Sequence, residues 1–499
     1  MRAAALTRAF VTAPAPATAV PAPKTDDLVE RLLAGLAHGT WPVGARLPSV
    51  RILARDHRVS IATVLAAYGR LEDRGLIERR ARSGLFVRRI PVVPPVPAVS
   101  RPSSRIADPQ QVDLEALAQE MQTPRAVSGK AAHFAIATPP PELLPLAILA
   151  GIQRRWLAAS DAWSGYADPS GVPALRVAIA RRLLTGGVTV SPDEIVVTTG
   201  TMEALLLALR ATCRPGDVVA CESPMYFGIL QLIGSLGLRV VEVPTHPQDG
   251  MQLDALRETM DEHPVRAVIA ITSFSNPIGS CMSDAARREL VAELAERDIP
   301  LIEDDIYGEL PHHGPRRQLA RAFVSAPDRE SRVVVCGSGS KVFSPGMRVG
   351  WVVGGRYTTA IRHLKRTSSF ASTTLPQLAL ADYLEQGAVE QHLRRLRHAC
   401  GERCVAMADA ILATFPAGTR TTRPTGGFSL WVELPREVDA LDLHKLALAD
   451  DITIAPGHLF SAKRRYQHFI RLNAAAYTPG LFPRLEHLGR LVAHLARRC

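Results

Sequence analysis

Residues 337–351 read GSGSKVFSPGMRVGW. One lysine, Lys341, follows Ser338 and Ser340 and stands seven residues before Arg348, in a stretch otherwise free of charge. A lysine in a loop is ordinarily a solvated surface residue. The other use is an amine held to bond covalently with a carbonyl. The run before it, RVVVCG, is short and rich in β-branched residues, as a buried strand is. GSGSK lacks the G-x-x-x-x-G-K-[ST] spacing of a nucleotide phosphate loop.

Outward from this stretch the pattern repeats. EIVVTTG (194–200), DVVACESP (217–224), RVVEVP (239–244), AVIAITS (267–273) and PLIEDDI (300–306) are similar runs, mostly separated by helical stretches. They predict a largely parallel sheet covered by helices, with its ligand site at the carboxyl ends of the strands. An aldehyde cofactor on Lys341 would need an acid for a ring nitrogen, a donor for a ring oxygen, an anion cradle and a flat surface. Asp304 can supply the acid, and Tyr307 or Asn276 the donor. Gly200, Thr201 and Met202 open a helix after a strand, where N–H groups suit a phosphate, and Ser338, Ser340 and Arg348 complete that cradle. Tyr226 can stack on the ring. Asp304 beside Glu303 and Asp305 also reads as a solvated acidic turn or a metal site. His312–His313 lack a ligand spacing, and no metal is expected.

The order Y-x-D-P-x-G-x-x-x-L-R (166–176), T-G-T (199–201), S-P-x-Y (223–226), N-P-x-G (276–279), D-D-I-Y (304–307), S-x-S-K (338–341), P-G-x-R-x-G (345–350) and R-L-N (471–473) resembles fold-type I pyridoxal-phosphate enzymes of the aminotransferase class I/II family. It covers most of residues 160–475. The resemblance implies pyridoxal 5′-phosphate as cofactor, with Lys341, Asp304 and Tyr307 as the catalytic set. It also implies that Arg471 holds a substrate carboxylate, a structural ion pair being the other use of a strand arginine. Tyr166 would reach the phosphate of a neighbouring subunit, which implies a homodimer.

The first ninety residues are different. Residues 24–90 hold 13 Lys and Arg against 7 Asp and Glu, +6 of the chain's +11, and clustered arginine attracts polyanions. Thr25, Asp26 and Asp27 read as the start of a helix bearing Leu28, Leu32, Leu33 and Leu36. Ser49 caps a second helix with Val50, Leu53 and Ala54. Ser60 caps a third, whose inward face is Val64, Ala67, Tyr68 and Leu71. LIERR and LFVRR make a hairpin. Three helices and a two-stranded wing form a winged helix-turn-helix, its third helix suited to the major groove. The pattern G-x-R-L-P-S-V-R-x-L-A, V-S-x-x-T-V-x-x-A-Y-x-x-L-x-x-x-G-L-I, R-S-G-x-F-V resembles the GntR superfamily. By that resemblance Arg46, Ser49, Arg51, Ser60, Thr63, Arg82 and Gly84 would touch double-stranded DNA. Ile61 departs from the polar or basic residue the family often has there. It either meets a thymine methyl or leaves one base unread.

The expected organisation is multidomain. An Ala/Pro-rich disordered tail (1–23) precedes the winged-helix domain (24–90, α+β) and a Pro-rich linker (91–127) containing a short helix in VDLEALAQEM. An α/β aminotransferase-like domain (128–499) follows, with a smaller subdomain from about 396. The tail reads poorly as a signal peptide, and no apolar run is long enough to span a bilayer. The seven scattered cysteines suit a reducing cytoplasm. The whole order resembles MocR-type regulators and implies a head-to-tail homodimer. It predicts a DNA-binding regulator sensing an amine, an amino acid or the cofactor itself. An active aminotransferase with an accessory DNA-binding arm is the alternative.

Overall fold

The computed structural model describes residues 24–37, 40–73, 76–80, 83–88, 97, 108–110, 112, 131–324 and 330–497. The chain divides into two compact units, Met1–Val93 and Pro94–Cys499. The expected tail, Arg82 and nearly all of the expected linker helix lie outside the described residues.

In the first unit, helix α1 (Lys24–Ala37) begins one residue before Thr25, so Thr25 sits within the first turn instead of capping it. Leu28, Leu32 and Leu36 are buried as their spacing requires, and Val29 joins them while Leu33 is only half-buried. Helix α2 (Val50–Asp56) starts at Ser49, whose Oγ accepts from Ile52 N at 3.4 Å. Helix α3 (Ile61–Asp73) starts at Ser60, whose Oγ accepts from Thr63 N at 3.0 Å. Val64, Ala67, Tyr68 and Leu71 point inward, and Tyr68 donates to Pro48 O at 2.6 Å. Strands β1 (Ile77–Arg80) and β2 (Gly84–Val87) pair antiparallel from Ile77↔Val87 to Arg80↔Gly84. The winged helix is present as expected.

In the second unit, a short strand β3 (Ala132–His133) precedes the main sheet. That sheet contains β4 (Ile195–Thr198), β5 (Val218–Ser223), β6 (Arg239–His246), β7 (Gly250–Met251), β8 (Val265–Ala270), β9 (Leu301–Asp304), β10 (Val333–Ser338) and β11 (Gly350–Val353). Its order is β4-β11-β10-β9-β8-β5-β6-β7. The pairs β10–β9, β9–β8, β8–β5 and β5–β6 are parallel, whereas β11 runs antiparallel to both neighbours. Strands covered on both faces must be apolar on both faces. Val196, Val219, Ile269, Ile302 and Val334 pack with Leu205 and Leu209 of the helix Thr201–Thr212, while Val197, Ala220, Val268, Leu301 and Val335 face the opposite layer.

A second sheet, β12 (Arg420–Thr421), β13 (Ser429–Glu433), β15 (Ala455–Pro456) and β16 (Phe469–Asn473), has the order β12-β13-β16-β15. Strand β14 (Ile452–Thr453) pairs in parallel with β3, which ties the start of the large unit to its C-terminal part. The linker is anchored in part. Gln110 exchanges backbone hydrogen bonds with Val240 on β6 at 2.7 and 2.8 Å, and Arg239 donates to Pro109 O at 3.0 Å. These backbone groups of β6 lie beyond the reach of β7, which pairs with β6 only at Thr245 and His246.

Candidate active site and DNA-facing surface

A cavity of about 780 Å³ opens at the carboxyl ends of the parallel strands. Lys341 stands in its wall just after β10, and Asp304 ends the adjacent β9. The three successive acids separate. Glu303 accepts from Thr272 Oγ1 at 2.6 Å and from Ala320 N, and Asp305 pairs with buried Arg316, leaving Asp304 alone to face the cavity. Strand alternation produces this division, and it removes the acidic-turn reading. Asp304 Oδ1 accepts from Ile306 N at 3.1 Å. Burial, with Asp305 beside it, pushes the Asp304 carboxyl up to about 7.

Lys341 Nζ donates to Ala137 O at 2.6 Å. Burial, and then the guanidinium of Arg471, bring its amine down to about 8, against the opposing pull of Asp304. Such an amine is neutral far more often near physiological pH than a solvated lysine.

Arg471, on β16, is buried in the same wall. It donates through Nη1 to Asn276 Oδ1 at 3.2 Å and through Nη2 to Ala135 O, and it lies over the Phe460 ring. No carboxylate pairs with it among the described residues, so the structural ion-pair reading is set aside. Tyr307 packs edge-on against Phe428 and lines the cavity, as do Tyr226 and Asn276.

The anion cradle forms where the chain can approach itself most closely. Gly200 has φ +87°, and a Cβ there would stand 2.4 Å from Arg348 Nη2. A Cβ on Gly350 would meet the Gly200 backbone at 2.5 Å. Arg348 donates to Thr199 O at 2.8 Å. Thr201 begins the twelve-residue helix Thr201–Thr212, and its buried Oγ1 has no hydrogen-bond partner among the described residues. Thr201, Met202, Ser340 and Arg348 all line the cavity. Ser338 does not: it stands one step behind, donating to Val349 O at 3.0 Å and bonded to Ser340 Oγ at 2.8 Å. Tyr166 is 90% exposed and lies against Phe370, away from the cavity wall.

One part of the wall had no signal in the sequence. Residues 133–138 form a strap whose backbone carbonyls do the work. Ala137 O answers Lys341, Ala135 O answers Arg471, and Asn473 Nδ2 donates to Ile136 O at 2.6 Å and Thr138 O at 2.8 Å. A carbonyl is common to every residue type, so no side chain marks this role.

On the winged helix, Arg46 and Arg51 are exposed, and Arg46 Nε lies 2.9 Å from where a Cβ on Gly84 would be. Gly84 has φ +108°, a conformation that favours glycine. Ser49 and Ser60 serve as helix caps, and Ser60 and Thr63 share a hydroxyl hydrogen bond of 2.8 Å.

Residues 133–485 match the aminotransferase class I and II family, and residues 24–87 match the bacterial regulatory proteins of the gntR family. An Escherichia coli (strain K12) protein named uncharacterized HTH-type transcriptional regulator YjiR is 36% identical over 90% of this chain and 93% of its own. The probable rhizopine catabolism regulatory protein MocR of Rhizobium meliloti is 27% identical over 76% of each chain.

The chain belongs to the MocR-type regulators.

Its MocR-type aminotransferase unit is similar in structure to LysN, an alpha-aminoadipate aminotransferase from Thermus thermophilus complexed with N-(5'-phosphopyridoxyl)-L-leucine. The TM-score is 0.69 at 30% identity, covering 77% of this chain and 97% of that one. A GntR-type DNA-binding domain is thus joined to an aminotransferase domain of fold type I in one regulator. Among the described residues no helix is long and apolar enough to cross a membrane.

Proposed function

We propose that the aminotransferase domain carries pyridoxal 5′-phosphate on Lys341 and that an amino acid arriving there alters the chain's hold on its operator DNA. The observation that carries this reading is one cavity wall bearing an amine brought down to about 8, a buried carboxyl and a buried guanidinium.

The residues present fit the cofactor. The unpartnered Thr201 Oγ1 and the first N–H groups of its helix suit phosphate oxygens, with Ser340 and Arg348 beside them. Asp304 suits the ring nitrogen, Tyr307 or Asn276 the ring oxygen, and Tyr226 the ring face. When bound, the cofactor supplies an aldehyde that takes up amines and a ring that withdraws electrons from the bonds of the amine's α-carbon.

Arg471 would hold the effector's carboxylate, and Lys341 Nζ, displaced by the incoming amine, would be the base for an α-carbon proton. Arg471 also donates to Ala135 O in the strap, so an effector carboxylate that takes Arg471 would release Ala135. The strap leads back along the chain to the linker, which offers a route to the DNA-binding unit. Coupling of this kind requires unequal affinity for two arrangements. Exposed Tyr166 suits a partner subunit's cradle in a head-to-tail homodimer.

The test is borohydride reduction of the yellow holoprotein followed by peptide mass spectrometry, which should find the cofactor's mass on Lys341. Lys341→Ala should be colourless and should bind operator with no response to amino acids. An unmodified Lys341 in cofactor-saturated protein would remove the proposal. Sustained turnover of an amino acid with an oxoacid, and no specific DNA site, would favour the aminotransferase alternative.

A further inference from the structure

From Ile61 to Gly69, α3 carries none of the side chains that pair bidentately with a guanine or an adenine or accept from a cytosine. Ile61 is 52% and Leu65 49% exposed, and Ala62 and Ala66 lie exposed beside them. From Ile61 to Gly69 the helix has no charged and no amide side chain, and the first, Arg70, comes in its last turn. The hydroxyls of Ser60 and Thr63 are bonded to each other at the helix start. Exposed hydrophobic residues at i and i+4 on one face of a helix ordinarily mark a contact surface.

The charge of the unit that carries this face says what covers it. Arg46, Arg51 and Arg58 are exposed and form no ion pair among the described residues, and residues 24–90 carry a formal +6. An apolar strip on a unit that carries exposed arginines and a net positive charge suits a partner that is anionic and offers apolar groups as well. The major groove of DNA is such a surface. Guanine is read there by Arg or Lys, adenine by Asn or Gln and cytosine by an acid, each through paired hydrogen bonds. Thymine alone presents a methyl group.

We infer that α3 reads thymine methyl groups through Ile61 and Leu65, with Arg46, Arg51 and Arg58 free to meet phosphates, so that its operator is defined at these positions by A·T pairs. The inference rests on the DNA-binding reading above. It concerns specificity and is independent of the cofactor.

The experiment uses the full chain and duplexes enriched by it from a random pool. Each thymine in an enriched duplex is replaced singly by uracil, which removes only the methyl, and affinity is read by fluorescence anisotropy at fixed salt. Burial of one methyl predicts a loss of about three- to fivefold at one or two thymines. Ile61→Ala should bind the thymine and uracil forms equally at its own position, Leu65→Ala should do so at a second, and Ile61→Val should keep the dependence. Replacing the sensitive thymine pair by 5-methylcytosine with guanine should retain more affinity than cytosine does.

Enriched duplexes that tolerate uracil everywhere would overturn this inference and leave the regulatory reading standing. So would Ile61→Ala that keeps full thymine dependence but loses self-association, which would assign the face to a second copy of the chain. A chain that enriches no sequence would overturn both.

Discussion

The Lys341 amine is set by its neighbours in opposite senses. Burial and Arg471 lower its pKa to about 8, Asp304 raises it, and Arg348 lowers it again. The neutral form is the nucleophile, so capture of pyridoxal phosphate by the apoprotein should quicken about tenfold per pH unit below 8 and level off above it. Arg471→Leu removes a cation and should move that plateau to higher pH. Asp304→Asn removes an anion and should move it lower. Stopped-flow absorbance across pH 6–10 reads all three, and a plateau unmoved by either substitution would contradict this account.

The strap is the element that joins the site to the rest of the fold. Its hold on the body runs through β3 and β14, through Asn473 N to Phe134 O at 2.8 Å, and through the Asn473 side chain. Asn473→Ala leaves the carbonyls of Ile136 and Thr138 without that donor, at a cost of about 1–3 kcal/mol. Hydrogen exchange over residues 131–138 should rise by one to two orders of magnitude, with β9 and β10 unchanged. An effector should raise exchange in the same segment. Equal protection in the variant would show that the strap is held by other means.

For the molecule as a whole, two separate cores predict two melting transitions. Ligand binding stabilises only the unit that binds, by RT ln(1 + [L]/Kd), about 2.7 kcal/mol at a hundred times Kd. Pyridoxal phosphate should therefore raise the transition of the large unit by several degrees and leave that of the winged helix in place. Calorimetry of the chain and of Lys341→Ala, where the upward shift should shrink sharply, makes the comparison.

The sequence by itself determined the elements. Alternating β-branched runs marked β4, β5, β6, β8, β9 and β10, and capping serines marked α2 and α3. Periodicity and caps are local properties, so they survive in a list of letters. The reversed strand β11 was not legible, because GWVV reads the same in either direction and only pairing between β4 and β10 fixes its sense. Neither was the strap, since backbone carbonyls carry no residue identity. Ser338 and Ser340 look equivalent two residues apart, yet the turn after β10 sends one hydroxyl to Val349 O and leaves the other at the cavity. Tertiary structure also decided the Asp304 environment. Three adjacent acids differ only in what the sheet, Thr272 and Arg316 bring to each. Local chemistry chose the parts, and long-range packing chose which of them meet, because burial and partners come from residues far apart in the chain.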